Sequence, residues 1–332
     1  MPATLTRRSL LTATGTAAAV GLSACSPGPR PATDPAAGDG TRTVQSVLGP
    51  VEVPLRVERV VVTEGRRDLD VALALGLPLV GFPRDAESTG TAPRFAPELR
   101  AAEAAGASEL FSRNEVDLEA VAAADPYLVL GRDEDVVELP ELGRIAPVLP
   151  LGSTSSGVRW QDDLRVVAAA TGTTARAEEL LAAYDAKLRA VRERHAAVLD
   201  RRVLMGARDE ESGGISLDAG RLAVLVLSDL GAAFAPALAA VLPDGDADHS
   251  AENLDEATAG ADLLVLVSDT GDLGPFTGPT WDAVPALAAG RYVVVDKFVN
   301  EGGPLTALSF LDTLDELYAS AATEAPAAGT PS

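Results

Sequence analysis

The sequence predicts an α/β protein of two lobes, each a mainly parallel sheet flanked by helices, joined by one long rigid helix. Three observations predict this class. From Val51 onward, short β-branched runs alternate with Ala/Leu-rich stretches of helical spacing, the pattern of strands connected by crossover helices. The alternation occurs twice, on either side of a helix-forming stretch from Trp160 to Ala197 that only Gly172-Thr173-Thr174 interrupts. The length of 332 residues suits about two domains at roughly 150 residues each.

The first lobe is expected over residues 43–158. Its strands are Arg59–Val62, Pro78–Gly81, Tyr127–Leu130 and Ala146–Leu149; its helices run from Asp68 to Gly76 and from Asp117 to Ala124, with Asp68 and Asp117 as N-caps. Residues 159–198 form the linking spine. From Ala175, Leu180, Leu181, Tyr184, Leu188 and Val191 recur at helical spacing, with charged residues around them. The 23 residues from Ala175 to Ala197 reach about 35 Å at about 1.5 Å per residue, roughly the width of a lobe. The second lobe, residues 199–322, has strands at Arg202–Met205, Asp262–Val267 and Arg291–Val295. Helices are expected near Arg221–Leu230, Ala251–Ala257 and Pro304–Ser320.

Ahead of the lobes, residues 1–24 have the form of an export signal. Arg7-Arg8 precedes an apolar segment too short to span a bilayer, which is the twin-arginine pattern, and Leu22-Ser23-Ala24-Cys25 resembles a bacterial lipoprotein signal in which Cys25 carries the lipid. Residues 25–42, rich in Pro, Gly, Ala and Thr, read as a flexible tether, and 323–332 as a disordered tail. No other stretch approaches the roughly 20 continuous apolar residues of a membrane span. The expectation is a protein anchored to the outer face of the cell membrane.

Composition removes several function classes. The formal charge is −22, from 27 basic and 49 acidic residues, which argues against nucleic-acid binding through a basic face. Loss of residues 1–24, which hold two arginines and no acid, takes it to −24. One cysteine and two histidines exclude a disulfide framework, Cys-rich zinc sites and iron–sulfur clusters. Asp244-Gly245-Asp246-Ala247-Asp248 resembles the start of a calcium loop, but His249 stands where the turn wants Gly and Asp255 replaces the bidentate Glu, so an acidic surface loop is the simpler reading. His195, among Arg192, Arg194 and Asp200, is expected to be solvated, and Trp281 to pack in the core. There is no phosphate-binding loop, His-Glu-x-x-His or Gly-x-Ser-x-Gly elbow, so a secreted lipoprotein hydrolase using Asp/Glu pairs has no motif behind it.

From about Val44 to Leu317 the chain resembles the substrate-binding lipoproteins of bacterial ABC importers for ferric siderophores, haem and cobalamin. The resemblance lies in Val51-Glu52-Val53-Pro54 with Arg59-Val60-Val61-Val62, Leu69-Asp70 with Ala74-Leu75-Gly76, and Asp117-Leu118-Glu119-Ala120-Val121 followed by Asp125-Pro126-Tyr127-Leu128-Val129. It continues in Ser250-Ala251-Glu252-Asn253-Leu254 and Trp281-Asp282-Ala283-Val284-Pro285-Ala286, all in the family's order. It implies two Rossmann-like lobes of the class III periplasmic-binding-protein type, a binding protein and not an enzyme, no resident cofactor, and a monomer working with an ABC permease. It also implies that Glu119 and Glu252 are the carboxylates that dock on permease arginines, placed by Asp117 and Ser250 as caps. The ligand implied is a ferric siderophore held between the lobes, with haem or cobalamin as the alternative. Related metal-binding lipoproteins coordinate bare cations through several histidines, and two distant ones argue against that branch.

Open α/β sheets bind ligands beyond the carboxyl ends of their strands. The loops there are Thr63-Glu64-Gly65-Arg66-Arg67, Pro83-Arg84-Asp85, Gly131-Arg132-Asp133, Gly152 to Trp160, Arg208-Asp209-Glu210, Ser268-Asp269-Thr270 and Lys297-Phe298. Guanidinium forks suit an oxygen-rich, often anionic chelate, so the ligand-binding candidates are Arg66, Arg84, Arg132, Arg208 and Lys297, with Trp160 and Phe298 as walls. The competing reading is that these are loop charges paired with neighbouring Asp and Glu.

Overall fold

The computed structural model describes residues 40–84, 95–113, 115–134, 140–153 and 156–323. The export-signal residues Arg7 and Arg8 and the lipidation residue Cys25 lie outside them.

The first half opens with a hairpin that the sequence reading did not contain, β1 (Thr41–Ser46) and β2 (Gly49–Pro54), paired antiparallel. There follow β3 (Val60–Val62), α1 (Arg67–Leu75), β4 (Leu79–Arg84), α2 (Ala96–Ala104), β5 (Ser108–Ser112), α3 (Leu118–Ala123), β6 (Leu128–Arg132) and β7 (Val148–Leu151). The five strands β5-β4-β3-β6-β7 are all parallel. Val60, Val61 and Val62 are buried without alternation because helices and loops cover both faces of a central parallel strand. Of the two expected caps here, Asp117 caps α3 by accepting from the N–H groups of Glu119 and Ala120 at 2.9 and 3.0 Å. Asp68 does not cap: α1 starts one residue before it, and its carboxylate serves the preceding loop.

The spine is two helices, α4 (Trp160–Thr171) and α5 (Thr174–Arg194), separated at Gly172, which takes a left-handed φ of 78°. Leu180, Leu181, Tyr184, Leu188 and Val191 form the buried stripe of α5, each contributing roughly 1.5–3 kcal/mol. Helix α5 ends before His195, which is buried, bonds Asp315 through Nε2 at 2.7 Å and stacks on Tyr318; the expectation that His195 is solvated is thereby corrected.

The second half holds β8 (Arg202–Arg208), β9 (Ile215–Asp218), α6 (Leu222–Leu230), β10 (Ala233–Phe234), α7 (Pro236–Val241), β11 (Asp246–His249), α8 (Leu254–Thr258), β12 (Leu263–Ser268), α9 (Pro279–Asp282), α10 (Pro285–Ala288), β13 (Tyr292–Asp296) and α11 (Pro304–Thr323). Strands β8, β12 and β13 run parallel, β10 adds to β8, and β9 and β11 extend the sheet antiparallel. The acidic segment expected as a loop is thus strand β11, paired on β9 from Asp246 to His249. Ser250, expected as a cap, makes no capping bond to the 3₁₀ turn at Ala251–Asn253.

Both sheets belong to one compact unit from residue 39 onward, and a single hydrophobic cluster runs through α1, α4, α5, α6 and α11. Helix α11 packs on α5, α1 and α6, so it touches both halves. Its N-terminus is held by Asp70 of α1. One carboxylate oxygen of Asp70 accepts from the N–H of Gly303 at 2.8 Å, from the N–H of Thr306 at 3.0 Å and from the Thr306 hydroxyl at 2.7 Å; the other accepts from Leu305 N–H at 2.9 Å. These are the orphan donors of a helix start, satisfied by a side chain 233 or more residues away. Replacing Asp70 by Ala strands four donors, three of them in buried bonds, and is expected to cost about 3 kcal/mol. Urea unfolding checks it: Asp70→Asn, which keeps one acceptor oxygen, should fall between wild type and Asp70→Ala, and an unshifted midpoint in Asp70→Ala would remove the cap from this role.

Candidate functional site

The loop after β3 is shaped by Asp68. One oxygen of its carboxylate accepts from the N–H groups of Thr63 and Glu64 at 2.9 and 2.8 Å, the other from those of Gly65 and Arg66 at 2.9 and 3.1 Å. Gly65 is needed in this turn: its φ is +78°, and a Cβ there would stand 2.9 Å from Cγ of Pro83. The two adjacent arginines then diverge. Arg67 turns inward, where its Nη1 donates to the carbonyls of Gly152 at 2.5 Å and Val158 at 3.1 Å and to Asp163 at 3.0 Å, fixing the start of the connector to the spine. Arg66 turns toward the second half, 5.2 Å above the Phe298 ring and 3.6 Å from the carboxylate of Glu301.

Around Arg66 the carboxyl edges of the two sheets meet. Glu64 is 4% exposed and lies 3.7 Å from Arg113, which follows β5, and 3.8 Å from Arg132 at the end of β6. Arg113 is also 3.8 Å from Glu301, and Arg221, at the start of α6, is 3.4 Å from Glu301 and 2.7 Å from Asp218. Glu64 and Arg132 come from the adjacent strands β3 and β6, where the strand order of the first sheet reverses, the position at which open α/β sheets form a crevice. Several contacts are ion pairs without hydrogen bonds: Oε1 of Glu64 and Oε2 of Glu301 are buried and receive no donor among the described residues. Burial pushes the Glu64 carboxyl well above the usual carboxylate range, and the charges of Asp68 and Glu301 add to the shift while Arg132 and Arg113 oppose it. Burial also opposes ionisation of Glu301, but Arg66, a hydrogen bond from Glu64, Arg221 and Arg113 overcome it and hold that carboxyl below its ordinary range.

Of the residues singled out in the sequence, Arg66, Arg132 and Phe298 meet in this cluster. Lys297 is buried nearby with its ammonium 3.6 Å from Asp269. Arg208, at the end of β8, lies 5.8 Å from the Trp281 ring and donates to the carbonyls of Asp209 and Gly214 at 3.3 and 3.2 Å. Trp281 itself is in the core, edge-on to Phe276 at 4.9 Å. Arg84 is exposed at the end of β4, its carbonyl accepting from the N–H of Arg113 at 2.9 Å. The wall role expected of Trp160 is corrected: it is 1% exposed, edge-on to Tyr184 at 5.1 Å, inside the packing of α4 on α5. Glu119 and Glu252 are exposed, in the first turn of α3 and in the 3₁₀ turn before α8. Sequence reasoning missed Arg113, Arg221 and Glu301 as site residues. The available signal for Glu301 was Gly302-Gly303-Pro304 beside it, a tight approach at a helix start.

A family model described as periplasmic binding protein matches residues 60–298. The chain belongs to this family. No curated protein matches it. Among solved structures, this periplasmic binding protein is similar to Staphylococcus aureus SirA complexed with staphyloferrin B (18% identity, TM-score 0.68, covering 83% of this chain and 98% of that one). It is equally similar to the triscatecholate siderophore binding protein FeuA from Bacillus subtilis complexed with ferri-bacillibactin (18%, 0.68, 84% and 98%). Streptococcus pneumoniae PiaA in complex with ferrichrome shares the fold as well (19%, 0.64, 86% and 99%).

Asp163, the partner of Arg67, supplies a pH dependence to this scaffold. Burial raises its carboxyl from 3.8 to about 6, outweighing the opposing charge of Arg67 and the N–H of Gly152. The native protein then holds a proton that the unfolded chain has released, so this contribution to stability is complete below about pH 4 and is lost as pH rises through about 6. Urea midpoints measured across that window should fall with rising pH in the wild type, and Asp163→Asn should remove that part of the slope.

Proposed function

We propose that this chain is an exported, lipid-anchored solute-binding protein that captures a ferric siderophore between its two halves and delivers it to an ABC permease. The observation that carries this reading is the convergence of Arg66, Arg113, Arg132 and Arg221 with Phe298 where the carboxyl edges of both sheets meet. Guanidinium groups match the oxygen-rich surface of such a chelate, and an aromatic face supports its apolar or aromatic parts. Family membership and the ferric complexes named with FeuA and PiaA favour the same ligand class. Against haem, His195 is buried and engaged by Asp315. Export and anchoring rest on Arg7-Arg8 and Cys25, and no described helix is long and apolar enough to cross a membrane.

Titration of intrinsic tryptophan fluorescence with ferric hydroxamate, catecholate and carboxylate chelates, each against its iron-free form, tests the reading. Ferrated forms should bind, and Arg66→Ala and Arg113→Ala should each weaken binding by roughly tenfold or more, the loss of one charge-assisted contact. No response to any ferric chelate would sink it.

Glu119 and Glu252 are proposed as the permease contacts. Both are exposed acids at helical first turns, where they can accept a bidentate arginine, and Glu252 borders a surface cavity of about 500 Å³. The Glu119→Ala, Glu252→Ala double variant should lose transport in cells while its chelate affinity stays at the wild-type value; unchanged uptake would reject the docking role.

A further inference from the structure

The arginine cluster is not an open set of cations. Glu64, from the loop after β3, and Glu301, from the loop before α11, occupy its centre, and both lie within 4 Å of the same Arg113 guanidinium, at 3.7 and 3.8 Å. Oε1 of Glu64 and Oε2 of Glu301 converge on the same Nη2 atom of Arg113, from the loops that enter the cleft from the two halves. Two carboxylates this close cannot both be ionised without a large repulsion, and a shared proton relieves it. The oxygens involved, Oε1 of Glu64 and Oε2 of Glu301, are the ones that no donor of the described chain reaches.

We propose that Glu64 and Glu301 share one proton in the empty cleft, and that this pair selects bound iron chelates by charge in a pH-dependent way. The inference deepens the siderophore-binding reading and rests on it.

Asp68 faces Glu64 from the first turn of α1; Arg113 from the end of β5 faces both acids; Arg132 from β6 faces Glu64; Arg66 and Arg221 face Glu301. In the next layer Glu134 lies 3.8 Å from Arg132, and Asp218 lies 2.7 Å from Arg221. A chelate that docks on these arginines competes with the pair for the same guanidinium groups. With the proton in place the pair carries one negative charge; without it, two. A trianionic chelate therefore binds the protonated form of the site more tightly and holds the proton there. As pH rises and the pair releases its proton, affinity for the trianion falls, by up to tenfold per pH unit for linkage to one proton. A neutral chelate has no net charge for the pair to oppose, and its affinity stays level. The raised carboxyl of Glu64 and the lowered one of Glu301 agree with this assignment.

Two measurements test it. The first needs no ligand: carbon NMR of the full chain with ¹³C-labelled glutamate side chains should show one protonated carboxyl at neutral pH, lost in Glu64→Gln and in Glu301→Gln. Circular dichroism confirms that each variant is folded. If ligand-free wild type shows no protonated glutamate at neutral pH, or if either folded variant keeps the signal, the shared proton is refuted. The second compares ferric bacillibactin, a tris-catecholate trianion, with ferrichrome, a neutral tris-hydroxamate. The wild-type Kd for the trianion should rise toward tenfold per pH unit above neutrality and that for ferrichrome should stay flat. In Glu64→Gln, whose amide is a permanent donor to Glu301, the trianion curve should flatten too. Equal pH slopes in wild type and Glu64→Gln overturn the selection role. If neither chelate binds the wild type, selection of these chelates by charge is refuted along with the siderophore reading, while the NMR result still decides the shared proton.

Discussion

A single buried carboxylate, that of Asp70, joins the two halves alongside the spine. Its four accepted hydrogen bonds cap α11, a helix that follows the last strand of the second sheet yet packs on α1 beneath the first. Two residues earlier, Asp68 gathers the N–H groups of the loop that presents Glu64 and Arg66. One residue before that, Arg67 anchors the connector to α4. The stretch Glu64–Asp70 thus carries the joint, the loop geometry and half of the cleft chemistry. Its acids are expensive to bury: Asp68 and Asp70 are both pushed above the usual carboxylate range by desolvation despite their donors. That cost is offset by the backbone groups they satisfy, which would otherwise be orphaned.

The charge distribution follows from the same economy of position. A formal charge of −22 describes the solvated exterior, where acids keep the body soluble. In the cleft, by contrast, four strand-end or helix-start arginines point to one place, interleaved with Glu64, Glu301 and Asp218. Apart from Asp218, 2.7 Å from Arg221, their counterions lie at 3.4 to 3.8 Å, and most of those contacts are ion pairs only. Such contacts leave guanidinium donors and carboxylate oxygens incompletely used, the state in which a ligand's oxygens gain most by entering.

Much of the architecture was legible because it is local. The strands with unbroken β-branched runs, the stripe of α5 and the Asp117 cap follow from spacing and side-chain type. Two of the edge strands were not: β5 has half-exposed residues of mixed polarity, and β11 is Asp-rich, so neither carries a buried-strand signature. In the cleft, Arg66, Arg132 and Phe298 were found because they directly follow or end recognisable strands. Arg113 was missed with β5, and Arg221 and Glu301 because only tertiary contact gives them a role. Trp160 was misread for a complementary reason. It begins a helix just past a cleft loop, but the helical turn aims it at Tyr184 on α5, and nothing in the local sequence reports that direction.

The close approach at Gly303 has a mechanical meaning. A Cβ there would come within 3.1 Å of Val71 and 3.2 Å of Asp70, so the backbone leading into α11 lies directly against α1. Glu301 sits two residues upstream of that weld. By chain order it belongs with the second sheet, yet Arg66 and Arg113 of the first half reach it as well as Arg221 of the second. The segment leading into α11 is therefore pinned twice, at Glu301 by arginines of both halves and at Gly303 by Asp70, so the two halves are joined at the cleft through one short stretch of backbone.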